Sequence, residues 1–217
     1  MTPRQFLYIL LASATVLSFI WLFFNRERLK AKWWEVLIVA ILHTVFGMGC
    51  VLLFAIIEGA NPGAISMFGG IFFMPLFYFV YAKIKKLPFG VVFDTFLISL
   101  TVTLLLSRVH CLYAGCCIGK YIGDSDIRYP TREIEIGFHT IFITTMIIFI
   151  YKKIMPGRLY PVYLISYGVF RFTIEWFRES STYSSFHIAH VWSVIAFLVG
   201  TGLLIFLRFY KKDEYLA

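Results

Sequence analysis

The sequence predicts an all-α, polytopic membrane protein with seven transmembrane helices, its N-terminus outside and its C-terminus cytoplasmic. Three observations carry this. The 217-residue chain is 60% hydrophobic and 15% charged, with a mean hydropathy of +0.81. Soluble domains are nearer half apolar and about a quarter charged, so these charges are too few to cover a water-facing surface. Apolar runs recur at close to the ~20 residues that cross about 30 Å of hydrocarbon as helix. Lysines and arginines sit in short clusters between those runs, as topology signals do.

The first segment spans 5–24. It contains the small residues of "LASA", but its basic cluster follows it rather than preceding it, so a retained span is expected and not a cleaved leader. The second spans 35–57 and holds Cys50, read as a small packing residue. The third, 64–82, carries Gly69, Gly70 and Pro75, all tolerated in membrane helices. The fourth, 89–107, ends at Arg108. The fifth, 136–151, is the shortest and is opened by Glu133 and Glu135. The sixth, 159–177, carries Arg171 and Glu175 in its last turns, and the seventh, 188–207, is opened by His187 and His190. With no repeat, low-complexity tract or second apolar pattern, residues 1–217 read as one integral membrane domain.

Orientation follows from charge. Arg26, Arg28, Lys30, Lys32, Lys83, Lys85, Lys86, Lys152, Lys153, Arg158, Arg208, Lys211 and Lys212 place thirteen cations on one side. Arg4, Arg108, Lys120, Arg128, Arg132, Arg171 and Arg178 place seven on the other, so the first side is cytoplasmic. The net charge of +8 suggests no nucleic-acid partner, because no basic stripe with interleaved aromatics accompanies it.

An ionisable residue inside a membrane segment is costly and therefore points to function. Here such residues gather on the outer half: Arg108, Glu135, Arg171, Glu175, Arg178 and His190. Arg171 and Glu175 are four apart and share a helix face. One account pairs them with each other and lets Arg108 reach the lipid headgroups along its stem. The other takes the whole set as a phospholipid site, since the planar guanidinium fork donates two hydrogen bonds to one phosphate. "LSRVHCLYAGCCIGK" puts His110, Cys111, Cys116 and Cys117 at the same level, where thiols can react, pair as a disulfide or pack. No metal and no cofactor are expected: paired C-x-x-C spacing is absent, and four ligands within eight residues seldom converge. Ser180, Ser181, Ser184 and Ser185 read as a polar loop.

These motifs together resemble the prolipoprotein diacylglyceryl transferase family, most strongly over 63–193. "GAISMFGGIFFMPLFYFVYAKIKKLPFGVVFDTF" is similar to that family's small-residue turn, paired glycine, basic loop and aspartate. "SRVHCLYAGCCIG", with Gly115 and Gly119, resembles its arginine signature, and "RYPTREIE" its Pro-Ser/Thr-Gln loop ending in glutamate. "YGVFRFTIEWFRE" resembles its tyrosine-glycine, arginine, glutamate and second arginine, and "AHVWS" a final-helix motif with glutamine where His190 stands. The resemblance implies a multi-pass enzyme of the bacterial cytoplasmic (inner) membrane with its site near the outer face. It would move the diacylglyceryl group of phosphatidylglycerol to the lipobox cysteine of a lipoprotein precursor.

By that resemblance, Arg108 and Arg171 hold the donor phosphate and Glu175 orients Arg171. Tyr167, Gly168, Gly69, Gly70, Gly115, Gly119, Glu135, Arg178 and His190 line the substrate site. The chain departs from the family at Phe68, where a histidine precedes the paired glycine. It departs again at Cys111 and Cys116, where an asparagine and an acidic residue stand. His110, His187 or His190 would then handle the proton, or Cys116 would serve as nucleophile or carrier. The alternative is a non-catalytic phospholipid-binding or thiol-redox membrane protein on the same scaffold.

Overall fold

The computed structural model describes residues 2–60, 64–179 and 187–209. The serine-rich loop, Gly63 and the basic tail with Lys211 and Lys212 lie outside the described residues. Those described form seven helices and no strand: α1 (Pro3–Phe24), α2 (Trp33–Ile57), α3 (Met67–Lys85), α4 (Phe89–Ala114), α5 (Thr131–Tyr151), α6 (Leu159–Glu175) and α7 (Ile188–Phe209). Six are long and apolar enough to cross a membrane. The exception is α6, which has 17 residues and carries Arg171 and Glu175.

Each start has a local cause. Pro3 opens α1 behind a capping box of Thr2 and Gln5. The N-terminus of α6 is capped from another helix: the buried Asp94 carboxylate of α4 accepts from the Gly157 N–H at 2.5 Å and the Leu159 N–H at 3.1 Å. The α4 helix ends at Gly115, whose φ of +70° is the left-handed conformation that glycine adopts without a Cβ clash. The expected start of α5 at 136 is corrected to Thr131. Pro130 takes the cap position, and the Ile134 N–H bonds its carbonyl at 3.0 Å. Glu133, expected to open the segment, lies with Arg132 in the polar first turn of the helix. The fourth segment, expected to end at 107, continues to Ala114.

Helix α4 is the centre of the bundle, with 61% of its apolar window buried, against 17% for α1. It packs on α1, α3, α5 and α6, while α6 pairs with α7 and α2 with α3. Many polar groups in the bundle find partners on other helices or on the preceding turn, as a lipid setting favours. The Trp21 indole donates to the Thr95 carbonyl at 2.8 Å, and the Thr101 hydroxyl donates back to Leu97 at 2.9 Å. The Tyr160 hydroxyl donates to the Ile71 carbonyl across α6 and α3, and His43 Nε2 lies 3.2 Å from the Tyr78 hydroxyl. Lipid cannot drive helices together by hydrophobicity, so close backbone approach at small residues does so.

The closest approach involves Gly69. A Cβ there would lie 2.2 Å from the Cys50 carbonyl oxygen and 2.6 Å from Phe54 Cβ. Cys50 accordingly packs, as expected. At Gly70 the nearest neighbour of an added Cβ is Leu100 Cδ1 at 3.5 Å. Gly69→Ala is therefore expected to destabilise the α2–α3 pair by about 1–3 kcal/mol, the usual cost of overpacking. Gly70→Ala should be tolerated. Thermal unfolding of the two variants in detergent checks this, and equal midpoints would contradict it.

Candidate functional site

The charged residues singled out by the sequence come together where α4, α5 and α6 meet. Glu135, in the first turns of α5, is fully buried. Its Oε2 lies 2.6 Å from Arg108 Nε of α4, and its Oε1 lies 4.0 Å from Arg171 Nη1 of α6. Arg171 Nη1 is also 2.6 Å from Glu175 Oε2, the intrahelical pair foreseen from spacing. Arg178 Nη1 approaches the same Glu175 oxygen at 3.5 Å, and His187 Nδ1 approaches the other at 3.4 Å. Arg108, Arg171 and Glu175 are 4%, 5% and 7% exposed. Of the two accounts of Arg108, the one in which it reaches out to headgroups does not fit, because Glu135 holds its guanidinium inside. Three arginines face two glutamates, which leaves one surplus positive charge.

The remaining residues divide. Tyr167 is fully buried, with its ring 5.9 Å from Phe68 and 5.8 Å from His139. His190 is buried against the rings of Phe172 and Trp176. His110 is turned away: its Nε2 lies 3.1 Å from the Pro3 carbonyl oxygen and its ring stacks on Phe6 of α1. As a proton carrier for the arginine cluster it is therefore replaced. Gly168 sits against the Ser193 carbonyl of α7, and Gly119 against the Tyr129 carbonyl. Gly115 ends α4, so these three glycines act in packing and chain reversal. Gly70 lines a cleft, described below, and Gly168 lines a second, open one with Phe172, Ser193 and Phe197.

Sequence reasoning missed His139. It is 1% exposed, one turn below Glu135 on the same face of α5, and its Nδ1 has no hydrogen-bond partner among the described residues. The hydroxyls of Tyr163 and Tyr167 beside it are likewise unmatched. Buried polar atoms are nearly always paired, so this group marks where a polar ligand or water would be received. The signal was present: a histidine inside an apolar segment.

Beyond α4 the chain is pinned to the end of α6. The Lys120 N–H donates to the Phe177 carbonyl at 2.8 Å and the Glu179 N–H to the Ile118 carbonyl at 2.9 Å, while Arg128 pairs with Glu179. Cys111 is buried, Cys117 half-buried and Cys116 exposed, and all are free thiols. The expectation that these ligand types fail to converge is corrected for the sulfurs, which lie within 4.8 Å of one another. Hydrogen bonding shared with the neighbouring Cys111 and Cys116 thiols, with the Arg178 and Arg108 charges behind them, holds the Cys117 thiol below its ordinary range.

A separate apolar cleft opens among α1, α2, α3 and α4, with a volume of about 60 Å³ accessible to water-sized spheres. Leu10, Ala14, Gly70, Met74, Leu100 and Leu104 are among its lining residues.

Fold and site define a helical membrane protein with an arginine-rich, partly glutamate-neutralised cluster buried among three helices. A model of the prolipoprotein diacylglyceryl transferase family matches residues 8–206, and the chain belongs to that family. Among similar proteins, the phosphatidylglycerol–prolipoprotein diacylglyceryl transferase of Dehalococcoides mccartyi is 26% identical over 236 aligned residues, covering 95% of this chain and 90% of its own. That of Tropheryma whipplei is 25% identical, covering 67% of this chain and 61% of its own. That of Chlorobaculum tepidum is 26% identical over 64% and 54%.

Proposed function

We propose that the chain is a phosphatidylglycerol-dependent transferase that moves a diacylglyceryl group onto a cysteine thiol of a lipoprotein precursor. In this reading seven helices cross the bacterial cytoplasmic membrane, with the N-terminus and the arginine cluster toward the outer face. The names of the relatives support the reaction, and the charge clusters between segments support the orientation.

The observation that carries the reading is the surplus positive charge of the buried cluster. A phosphodiester brings one negative charge and would balance Arg108, Arg171 and Arg178 against Glu135 and Glu175. When the glyceryl C–O bond breaks, negative charge grows on the departing phosphate, and guanidinium donors already in place stabilise that growth. Glu175 holds Arg171 in position for it. His139 adds a further donor. Position 68 of α3 and position 139 of α5 both reach the Tyr167 ring, so an imidazole from α5 stands beside the tyrosine that Phe68 approaches from α3. The apolar cleft offers hydrocarbon-like walls along which an acyl chain could lie. A reading in which the cluster only binds phospholipid draws on the burial of Arg108 and Arg171 behind their glutamates.

Incubating the purified chain with labelled phosphatidylglycerol and a lipobox peptide separates the two. Lipidated peptide is expected from the wild type. Arg171→Lys keeps the charge but loses the fork, and His139→Phe keeps the ring but loses the donor, so each should lower turnover by about 100-fold or more. Full activity in His139→Phe would remove it from the site, and lipid bound but never transferred by the wild type would favour the binding reading. Orientation is read in intact cells from a variant whose single cysteine is the exposed Cys116. A membrane-impermeant maleimide should label it, and protection until lysis would contradict the outward site.

A further inference from the structure

We propose that Cys111, Cys116 and Cys117 bind one zinc-class cation and leave its fourth ligand position for a thiol from outside the chain. The role of that outside thiol rests on the transferase reading above; the metal site does not.

The chain is shaped to gather these sulfurs. At the left-handed end of α4, the Cys116 N–H reaches back to the Cys111 carbonyl at 3.2 Å. Cys117 then takes a φ of +58°, a conformation that costs an L-residue energy and persists only where its surroundings impose it. The Thr131 hydroxyl of α5 donates to the Cys117 carbonyl at 3.1 Å, and the next carbonyl, Ile118, accepts from Glu179. The outcome is three sulfurs within 4.8 Å of one another, with Cys111 and Cys117 3.7 Å apart. Zinc–thiolate bonds of about 2.3 Å in a tetrahedron place sulfurs about 3.8 Å apart, so an ion fits among them with little movement. Among the described residues this is the one group of histidine, cysteine or carboxylate side chains so gathered.

The donor set has a definite meaning. Structural zinc sites take four protein ligands, whereas sites that keep three leave a position for a reacting group. His110, the nearest further donor in sequence, is committed to α1. Cys116 is exposed, so a thiol from outside the chain can reach the cluster. Arg108 and Cys111 are three residues apart on one face of α4, which sets the metal beside the phosphate cluster.

A thiol that coordinates such an ion loses its proton outright. The acceptor's S–H proton passes to solvent as its sulfur binds the cation. The thiolate then forms the C–S bond to the glyceryl carbon while the C–O bond breaks, its electron pair leaving with glycerol phosphate. This supplies the proton step that the departures at Phe68, Cys111 and Cys116 left without a carrier.

Cobalt(II), a spectroscopic stand-in for zinc, tests the site on the reduced full chain in detergent without lipid. One equivalent should produce a thiolate-to-cobalt absorption with the intensity of three sulfurs, displaced by zinc. Cys111→Ser and Cys117→Ser should lose it while Cys50→Ser keeps it, with circular dichroism confirming the helices of each. A lipobox peptide should raise the band to that of four sulfurs, and its cysteine-to-serine counterpart should not. No such band in the wild type, or one unchanged in Cys117→Ser, overturns the site. A band indifferent to the peptide thiol overturns the open position. Full transfer by chelator-stripped protein would overturn the metal's part in the reaction while leaving the transferase reading intact.

Discussion

Glu135 lies in the interior between Arg108 of α4 and Arg171 of α6, and much of this end of the molecule is arranged around it. A lone guanidinium in a membrane interior is costly, and a lone carboxylate equally so. Each becomes tolerable through the other, and the pairing works only if three helices meet at one depth. The length of α4 beyond its apolar run and the early start of α5 both serve that meeting. Arg108 is the twentieth residue of α4, and Glu135 the fifth of α5. Had α5 begun at 136, no helix would have carried Glu135 to the junction.

From that junction the other features follow. Arg171 has a second partner in Glu175, so it is shared between two carboxylates and held in orientation. Tyr167, one turn before Arg171, and His139, one turn after Glu135, extend the polar strip inward and meet ring to ring. The segment after α4 folds back onto the end of α6, which fixes the thiols next to the cluster. Farther down, Asp94 caps α6 from α4 and keeps the same two helices in register at the opposite end.

The helices were legible because apolar runs between basic clusters leave little freedom. Their ends were less so: the apolar run of α5 begins at 136, whereas Pro130 caps the helix ahead of its charged first turn. Arg171–Glu175 could be read because spacing within one helix is geometry. Arg108–Glu135 could not, since it joins helices whose relative rotation no local pattern sets. His110 was misplaced by ignoring the same geometry: two residues along a helix turn about 200°, so it cannot share the Arg108 face. His139 was overlooked although its four-residue offset from Glu135 was as readable as the pair on α6. The convergence of the thiols was hidden in a left-handed turn at Cys117 that sequence spacing does not encode.

The account depends on Glu135 being the counter-charge that keeps two arginines inside. A double-mutant cycle on unfolding in detergent tests this directly, with Glu135→Gln, Arg108→Gln and the two combined. Removing one member of a buried pair strands the other charge, so each single change is expected to cost about 3–5 kcal/mol, with much of it recovered in the pair. A Glu135→Gln chain as stable as the wild type, or effects that simply add, would contradict the claim.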